Sequence, residues 1–271
     1  MGSFRKIALA AAVVTASAVS ALAADIIEPP IYEAPPEVSV PRAGGWYLRG
    51  DIGYSHMAVN GVSYYQGAVP NPILAGFEKH DVDATWMVGA GVGYQVNDYF
   101  RVDWTVDHYF ATDFNGSSAQ NVACSDGTVG AVCSYSDNSQ LGLTTVMANA
   151  YFDLGNYSGI TPYVGFGLGG AQTHWSGLDN QEYQVSGPAA AVFASDTHNA
   201  KNGWRFAYAL HAGASYDLTS HLKLDAGYTF THVDGGSMFG FGNLSGDAGV
   251  QGYHDDIKIH TVKAGLRYSF N

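Results

Sequence analysis

The chain has 271 residues, among them 34 glycines, 18 tyrosines, 13 phenylalanines and two cysteines, and its 12 basic and 24 acidic side chains leave a net charge of −12. Charged residues are scarce and aromatics plentiful, which excludes a disordered chain, and the negative balance repels phosphate and excludes a nucleic-acid binder. Beyond the N-terminus no apolar run approaches the ~18–20 residues of a membrane helix, so an all-β protein is expected, with glycine and tyrosine pointing to a membrane barrel.

Arg5 and Lys6 precede a small-residue apolar stretch, Ile7 to Val19, and an Ala21-Leu22-Ala23 cleavage site. Residues 1–23 are therefore read as a signal peptide, with the mature chain beginning at Ala24. Its removal leaves ten basic against 24 acidic residues. Residues 24–44 hold five of the nine prolines together with Asp25, Glu28, Glu33 and Glu37. They read as an extended acidic periplasmic tether. Export makes a disulfide the simplest reading of Cys124 and Cys133, the two cysteines of the chain.

From Gly45 to the end the pattern has period two. Eight strands are predicted: Gly45–Met57, Ala84–Val96, Phe100–Phe110, Gln140–Leu154, Thr161–Thr173, Gly203–Leu218, Leu222–Val233 and Asp256–Phe270. Short connections at Asn97–Tyr99, Gly155–Ile160 and Thr219–His221 alternate with long ones at 58–83, 111–139, 174–202 and 234–255. That wiring predicts an eight-stranded antiparallel transmembrane β-barrel over 45–271, with tight periplasmic turns and four mobile external loops. Residues 183–194 have some β character and leave room for two extra strands.

One face of each strand is large and apolar, as in Trp86, Val88, Val92, Tyr94 and Val96, or Trp204, Phe206, Tyr208, Leu210 and Tyr216. The other carries glycine and charge, including Gly165, Gly167 and Gly169. An eight-stranded lumen has room only for side-chain filling, so the apolar face is assigned to lipid. The inner parity then holds Arg49, Arg101, Arg205, Lys223, Lys263 and Arg267 against Asp51, Asp103, Asp107, Asp153, Asp217 and Asp225. Six against six predicts a paired lumen network; a wet ion pathway is the alternative. Trp46, Tyr94, Phe100, Phe152, Tyr216, Tyr268 and Phe270 are placed in an inner aromatic girdle, and Tyr54, Trp86, Phe110, Trp204 and Phe230 in an outer one.

The opening strand Gly45-Trp46-Tyr47-Leu48-Arg49-Gly50-Asp51-Ile52-Gly53-Tyr54 and the closing strand Val262-Lys263-Ala264-Gly265-Leu266-Arg267-Tyr268-Ser269-Phe270, with the export signal and acidic tether, resemble the small outer-membrane β-barrel proteins of alphaproteobacteria. These are architectural relatives of the OmpA/OmpX-type barrels. The resemblance implies a Gram-negative outer-membrane surface protein that supports envelope integrity and makes host or environmental contacts. It also implies contact with outer-membrane lipid and lipopolysaccharide, and a terminal aromatic read by the barrel assembly machinery, although here Phe270 is followed by Asn271. Host or matrix proteins are implied as partners, and haemin is one that some members bind.

Chemistry is sparse. Eight of the ten histidines fall at the external end, but His56, His108, His232 and His260 have outward parity. His80, His174, His198 and His254 remain as loop candidates for haem or a metal. His174-Trp175-Ser176 faintly resembles a hydrolase string, but a nucleophile and base also need an orienting acid and an oxyanion donor; Glu182 is nearby, in connections where carboxylates are plentiful. Gly89, Gly91 and Gly93 have strand spacing and no following helix, which removes a dinucleotide loop. No catalytic residues, cofactor or metal are expected. The long connections carry twelve acids against Lys79 and Lys201. The functional expectation is a structural and interactive surface barrel; the alternatives are a haemin or small-solute binder and a narrow porin-like channel.

Overall fold

A computed structural model describes residues 44–66, 73–125, 129–186, 192–242 and 248–270. The predicted signal peptide, nearly all of the tether and Asn271 lie outside them. The described residues contain thirteen strands. The first seven are β1 Gly45–Asn60, β2 Ser63–Gln66, β3 Ile73–Gly76, β4 Lys79–Val82, β5 Thr85–Asn97, β6 Phe100–Ser117 and β7 Val122–Ala123. They are followed by β8 Val132–Asp153, β9 Ile160–Trp175, β10 Leu178–Gln184, β11 Val192–Asp217, β12 Leu222–Gly242 and β13 Val250–Ser269.

Eight of these close a ring of antiparallel pairs, in the order β1, β5, β6, β8, β9, β11, β12, β13 and back to β1. Closure runs from Tyr47 opposite Ser269 to Asn60 opposite Asp256, and Phe270 N donates to Trp46 O at 3.0 Å. No strand of the ring is left with an unpaired edge, which is what a membrane-spanning sheet requires.

The inner-end turns are built by short polar side chains and glycine. Asn97 Oδ1 accepts from Tyr99 N at 2.9 Å, and Thr219 Oγ1 accepts from Leu222 N at 3.0 Å. Gly155 and Gly159 adopt positive φ in the middle turn, where glycine carries no steric penalty.

Apolar side chains face outward across the ring. Trp46, Ile52, Trp86, Trp104, Trp204, Phe206, Val262 and Leu266 are all exposed. Ring pairs mark the two girdles. Trp46–Tyr94 (5.4 Å) and Phe100–Phe152 (5.2 Å) lie at the inner end, and Tyr54–Trp86 (5.3 Å) at the outer one.

At the outer end the structure corrects the expectation of four loops. β6, β8, β11 and β12 continue well past their predicted ends, and β4 and β10 extend the ladder on β6 and β8. The described residues of 183–194 therefore add no strand to the ring: β10 and the start of β11 form a paired extension between β8 and β12. Above the lipid no outward apolar face is demanded, so the period-two signal fades while the backbone ladder persists.

The inside is filled in two layers. Toward the inner end it is charged and polar. Toward the outer end it is apolar, with Met57, Met87, Tyr109, Phe114, Leu141, Trp175, Met238, Phe239 and Ile257 in one buried cluster. Met57, Met87, Tyr109, Leu141, Trp175 and Ile257 share the inner parity of their strands, whereas Phe114, Met238 and Phe239 are turned inward past register shifts, and a rule that sends every apolar face to lipid overlooks them all.

Candidate functional site in the lumen and at the outer mouth

Alternation on β1 turns Tyr47, Arg49 and Asp51 inward together. β5, the next strand of the ring, offers Gly91 and Gly93 to the same side. A Cβ at Gly93 would lie 2.3 Å from Tyr47 Cζ, and one at Gly91 would lie 3.1 Å from Arg49 Cγ. The bare stripe lets both side chains cross β5 and reach β6. Arg49 Nη1 meets Asp103 Oδ2 at 3.0 Å while Nη2 holds Asp51 Oδ1 at 2.9 Å. Tyr47 Oη donates to the same Asp103 oxygen at 3.1 Å.

Arg101 Nε donates to Asp153 Oδ1 at 3.1 Å. Its guanidinium lies against the rings of Tyr151 and Tyr163, 4.1 and 4.7 Å from their centroids. Arg267 pairs with Asp225 at 3.2 Å, Lys263 with Asp107 at 4.0 Å, and Lys223 with Asp217 at 2.5 Å. Nine of the twelve charged residues singled out from the sequence are buried; Arg205, Lys223 and Asp217 are partly exposed.

Arg205 departs from the one-to-one expectation. It donates to Ser237 Oγ at 3.2 Å and to Trp204 O at 3.0 Å, and no carboxylate among the described residues lies within ion-pair reach of it. Arg49 serves two acids, which removes the need for a sixth cation. Tyr47, Asn149, Tyr151, Tyr163 and His211 also belong to this interior. His211 contacts Thr229 Oγ1 at 3.0 Å and Asn149 Oδ1 at 3.2 Å. Parity marks them as inward, but an inventory of charges alone passes over them.

The outer mouth is tied together by three contacts. Cys124 and Cys133 form a disulfide, beside the short ladder of β7 on β8. Glu182 of β10, 2% exposed, accepts from Ser125 N at 2.7 Å and from the Ser125 hydroxyl. Asp137 of β8, also buried, accepts from Ser118 N and from the Asn180 amide, each at 2.5 Å. The carboxylates act as clamps between neighbouring strand extensions.

Above the apolar layer these extensions enclose a cavity of about 270 Å³, whose walls include Tyr64, Phe77, Tyr135, Asp137, Asp196 and Phe239. Phe77 is central to its floor, with ring contacts to Tyr64 (5.3 Å), Phe114 (6.0 Å) and Phe239 (6.3 Å). Burial, reinforced by the charge of Glu182, pushes the Tyr135 hydroxyl up to about 12. Burial and the charge of Asp137 raise Tyr64 in the same direction.

The four histidines proposed for haem or metal are scattered. His80 Nε2 contacts Val59 O at 3.0 Å, His174 is exposed on the wall of β9, His198 packs on Phe239 at 5.4 Å, and His254 is buried against Trp175 at 6.0 Å. Among the described residues the single grouping of His, Cys, Asp or Glu at ligand spacing is Cys124, Cys133 and Glu182. Its sulfurs are already bonded to each other, so it offers no thiolate to a metal. Glu182 is engaged by Ser125, and the Ser176 hydroxyl accepts from Gln140 N at 2.8 Å. The hydrolase string is therefore not assembled.

The family model described as "Outer membrane protein beta-barrel domain" matches residues 9–270. An uncharacterized protein of Brucella suis is 36% identical, with 93% of each chain covered. A protein of Rickettsia bellii named "Putative adhesin" is 27% identical over 66% of this chain and 72% of its own. Outer membrane protein PagN of Salmonella typhimurium is 25% identical over 67% and 72%.

Proposed function

This chain belongs to the outer membrane protein beta-barrel domain family and lies in the outer membrane, and from that premise we propose that it is a closed surface barrel that works through its outer end. The observation that carries this reading is the filled interior: an ion-paired layer under a buried apolar cluster. Such an interior supports a rigid pedestal better than a water-filled pore. The acidic, disulfide-stapled mouth is then the surface offered to the environment, in an adhesin-like role of the kind the Rickettsia relative's name carries. Envelope support follows from the same rigid cylinder, whose outward-facing His56, His108 and His260 stand at the level where lipopolysaccharide meets the outer girdle.

In this proposal residues 1–23 export the chain, residues 24–44 tether the barrel on the periplasmic side, and the assembly machinery inserts it. Catalysis has no part in it. Haemin uptake is disfavoured at the mouth, because about 270 Å³ falls below the ~300–1,000 Å³ that encloses drug-sized ligands.

The test pairs two measurements. Purified barrel in planar bilayers should show conductance near zero, and cells bearing it should attach to matrix- or host-coated surfaces better than a deletion strain. Steady ion-selective conductance with no change in attachment would replace this reading with the channel.

A further inference from the structure

We propose that the outer-mouth cavity is a binding site for an arginine side chain presented by a basic segment of a partner protein. The inference rests on reading the outer end as the interaction surface and names the chemistry that surface selects.

Three observations converge on it. First, the walls pair aromatic rings with two carboxylates: Tyr64, Phe77, Tyr135 and Phe239 with Asp137 and Asp196. Ring faces attract cations, and arginine is the usual partner because its flat guanidinium stacks as well as carrying charge. Second, both carboxylates are held by neutral donors. Asp137 accepts from Ser118 N and the Asn180 amide, and Asp196 from Thr197 N at 2.8 Å. Among the described residues no Lys, Arg or His nitrogen lies within ion-pair distance of either.

Third, the cavity wall carries two buried polar atoms with no hydrogen-bond partner, Gln251 Oε1 and His198 Nδ1. The Gln251 amide nitrogen is engaged by Tyr65 O at 2.9 Å, so its oxygen is left as an unused acceptor. A donor-only ligand satisfies the Gln251 oxygen, and His198 Nδ1 as well in its Nε2–H tautomer; a guanidinium has five donors and no acceptor.

Size and field fit the same ligand. A cavity of about 270 Å³ admits one side chain rather than a cofactor. Among the described residues the long connections carry ten acids against Lys79 and Lys201, a field that steers a basic protein segment toward the mouth.

The test uses the folded mature barrel in lipid nanodiscs and a fluorescent nonapeptide with three arginines in a glycine–serine background. Its counterpart with citrulline keeps the shape and removes the charge. Free arginine amide is titrated as well, to separate a peptide-borne side chain from a small-molecule ligand. Saturable peptide binding should weaken about tenfold or more on citrulline substitution, in Asp196→Asn and in Tyr64→Leu. It should hold in Asp81→Asn, which removes an exposed acid outside the cavity. Heat-modifiable gel mobility verifies that each variant is folded.

Equal losses in Asp81→Asn and Asp196→Asn, with none in Tyr64→Leu, would mean diffuse surface attraction and overturn the site. Free arginine amide binding as tightly as the peptide would overturn the assignment to a protein partner. Attachment by intact cells tests the surface-interaction reading separately, so that reading can stand while the peptide result fails.

Discussion

Arg101 on β6 and Asp153 on β8 meet at 3.1 Å inside the barrel, with both side chains shielded from solvent. They sit diagonally across the ladder, since the residue directly opposite Arg101 is Tyr151. Truncating one member strands the other in a low-dielectric interior, at a cost of about 3–5 kcal/mol. Arg101→Ala should therefore lower the unfolding temperature sharply, and Arg101→Ala combined with Asp153→Ala should recover part of the loss. Conductance should stay near zero in both. Unchanged stability with a new ion selectivity would identify a hydrated lumen.

Gly93 supplies the space through which Tyr47 reaches Asp103. A side chain there meets the Tyr47 ring and also Val102 O, 2.6 Å from an added Cβ. Gly93→Val should destabilise the barrel by about 1–3 kcal/mol, as overpacking does. Combining it with Tyr47→Ala should relieve much of the strain, and denaturant titration of the double-mutant cycle measures the coupling.

Acid should loosen the outer end. Burial, with a contribution from Arg205, holds the His254 ring down to about 4, against about 6.5 in an unfolded chain. The folded state thus binds fewer protons than the unfolded one between those values, so stability is full above pH 6.5 and falls as the pH drops toward 4. The total is roughly 3 kcal/mol at about 1.4 kcal/mol per unit. Amide exchange in the outer halves of β12 and β13 should accelerate at pH 5 relative to pH 7.5, and His254→Asn should flatten that dependence.

The Cys124–Cys133 bond closes a short loop, the two residues being nine apart in sequence, and restricts the unfolded chain by roughly 2–3 kcal/mol. The barrel itself is held by its closed ladder, so Cys124→Ser should leave heat-modifiable mobility intact. Protease sensitivity between residues 118 and 135 should rise, and rise further when Glu182→Gln removes the clamp on Ser125. On intact cells the Asn97–Tyr99 turn should stay uncut throughout, and cleavage there would reverse the orientation.

Eight strands, their inner boundaries and the outward face were legible in the sequence because lipid imposes a strict alternation. Trp86, Val88 and Val92 must all face it, and Asn97 or Gly155 must end the run at the water boundary. Residues such as Trp175, Phe239 and Glu182 lie beyond the lipid, where no solvent enforces a period. Their strand extensions, the buried apolar cluster and the mouth cavity became visible only in the tertiary structure. Parity could likewise send Arg49, Arg101 and Arg205 inward, but not assign their partners. Those depend on the stagger between strands and on the bare stripe of β5, which let Arg49 hold two acids and left Arg205 to Ser237. Periodicity reports which side of a wall a residue faces; the closed ladder decides whom it meets there.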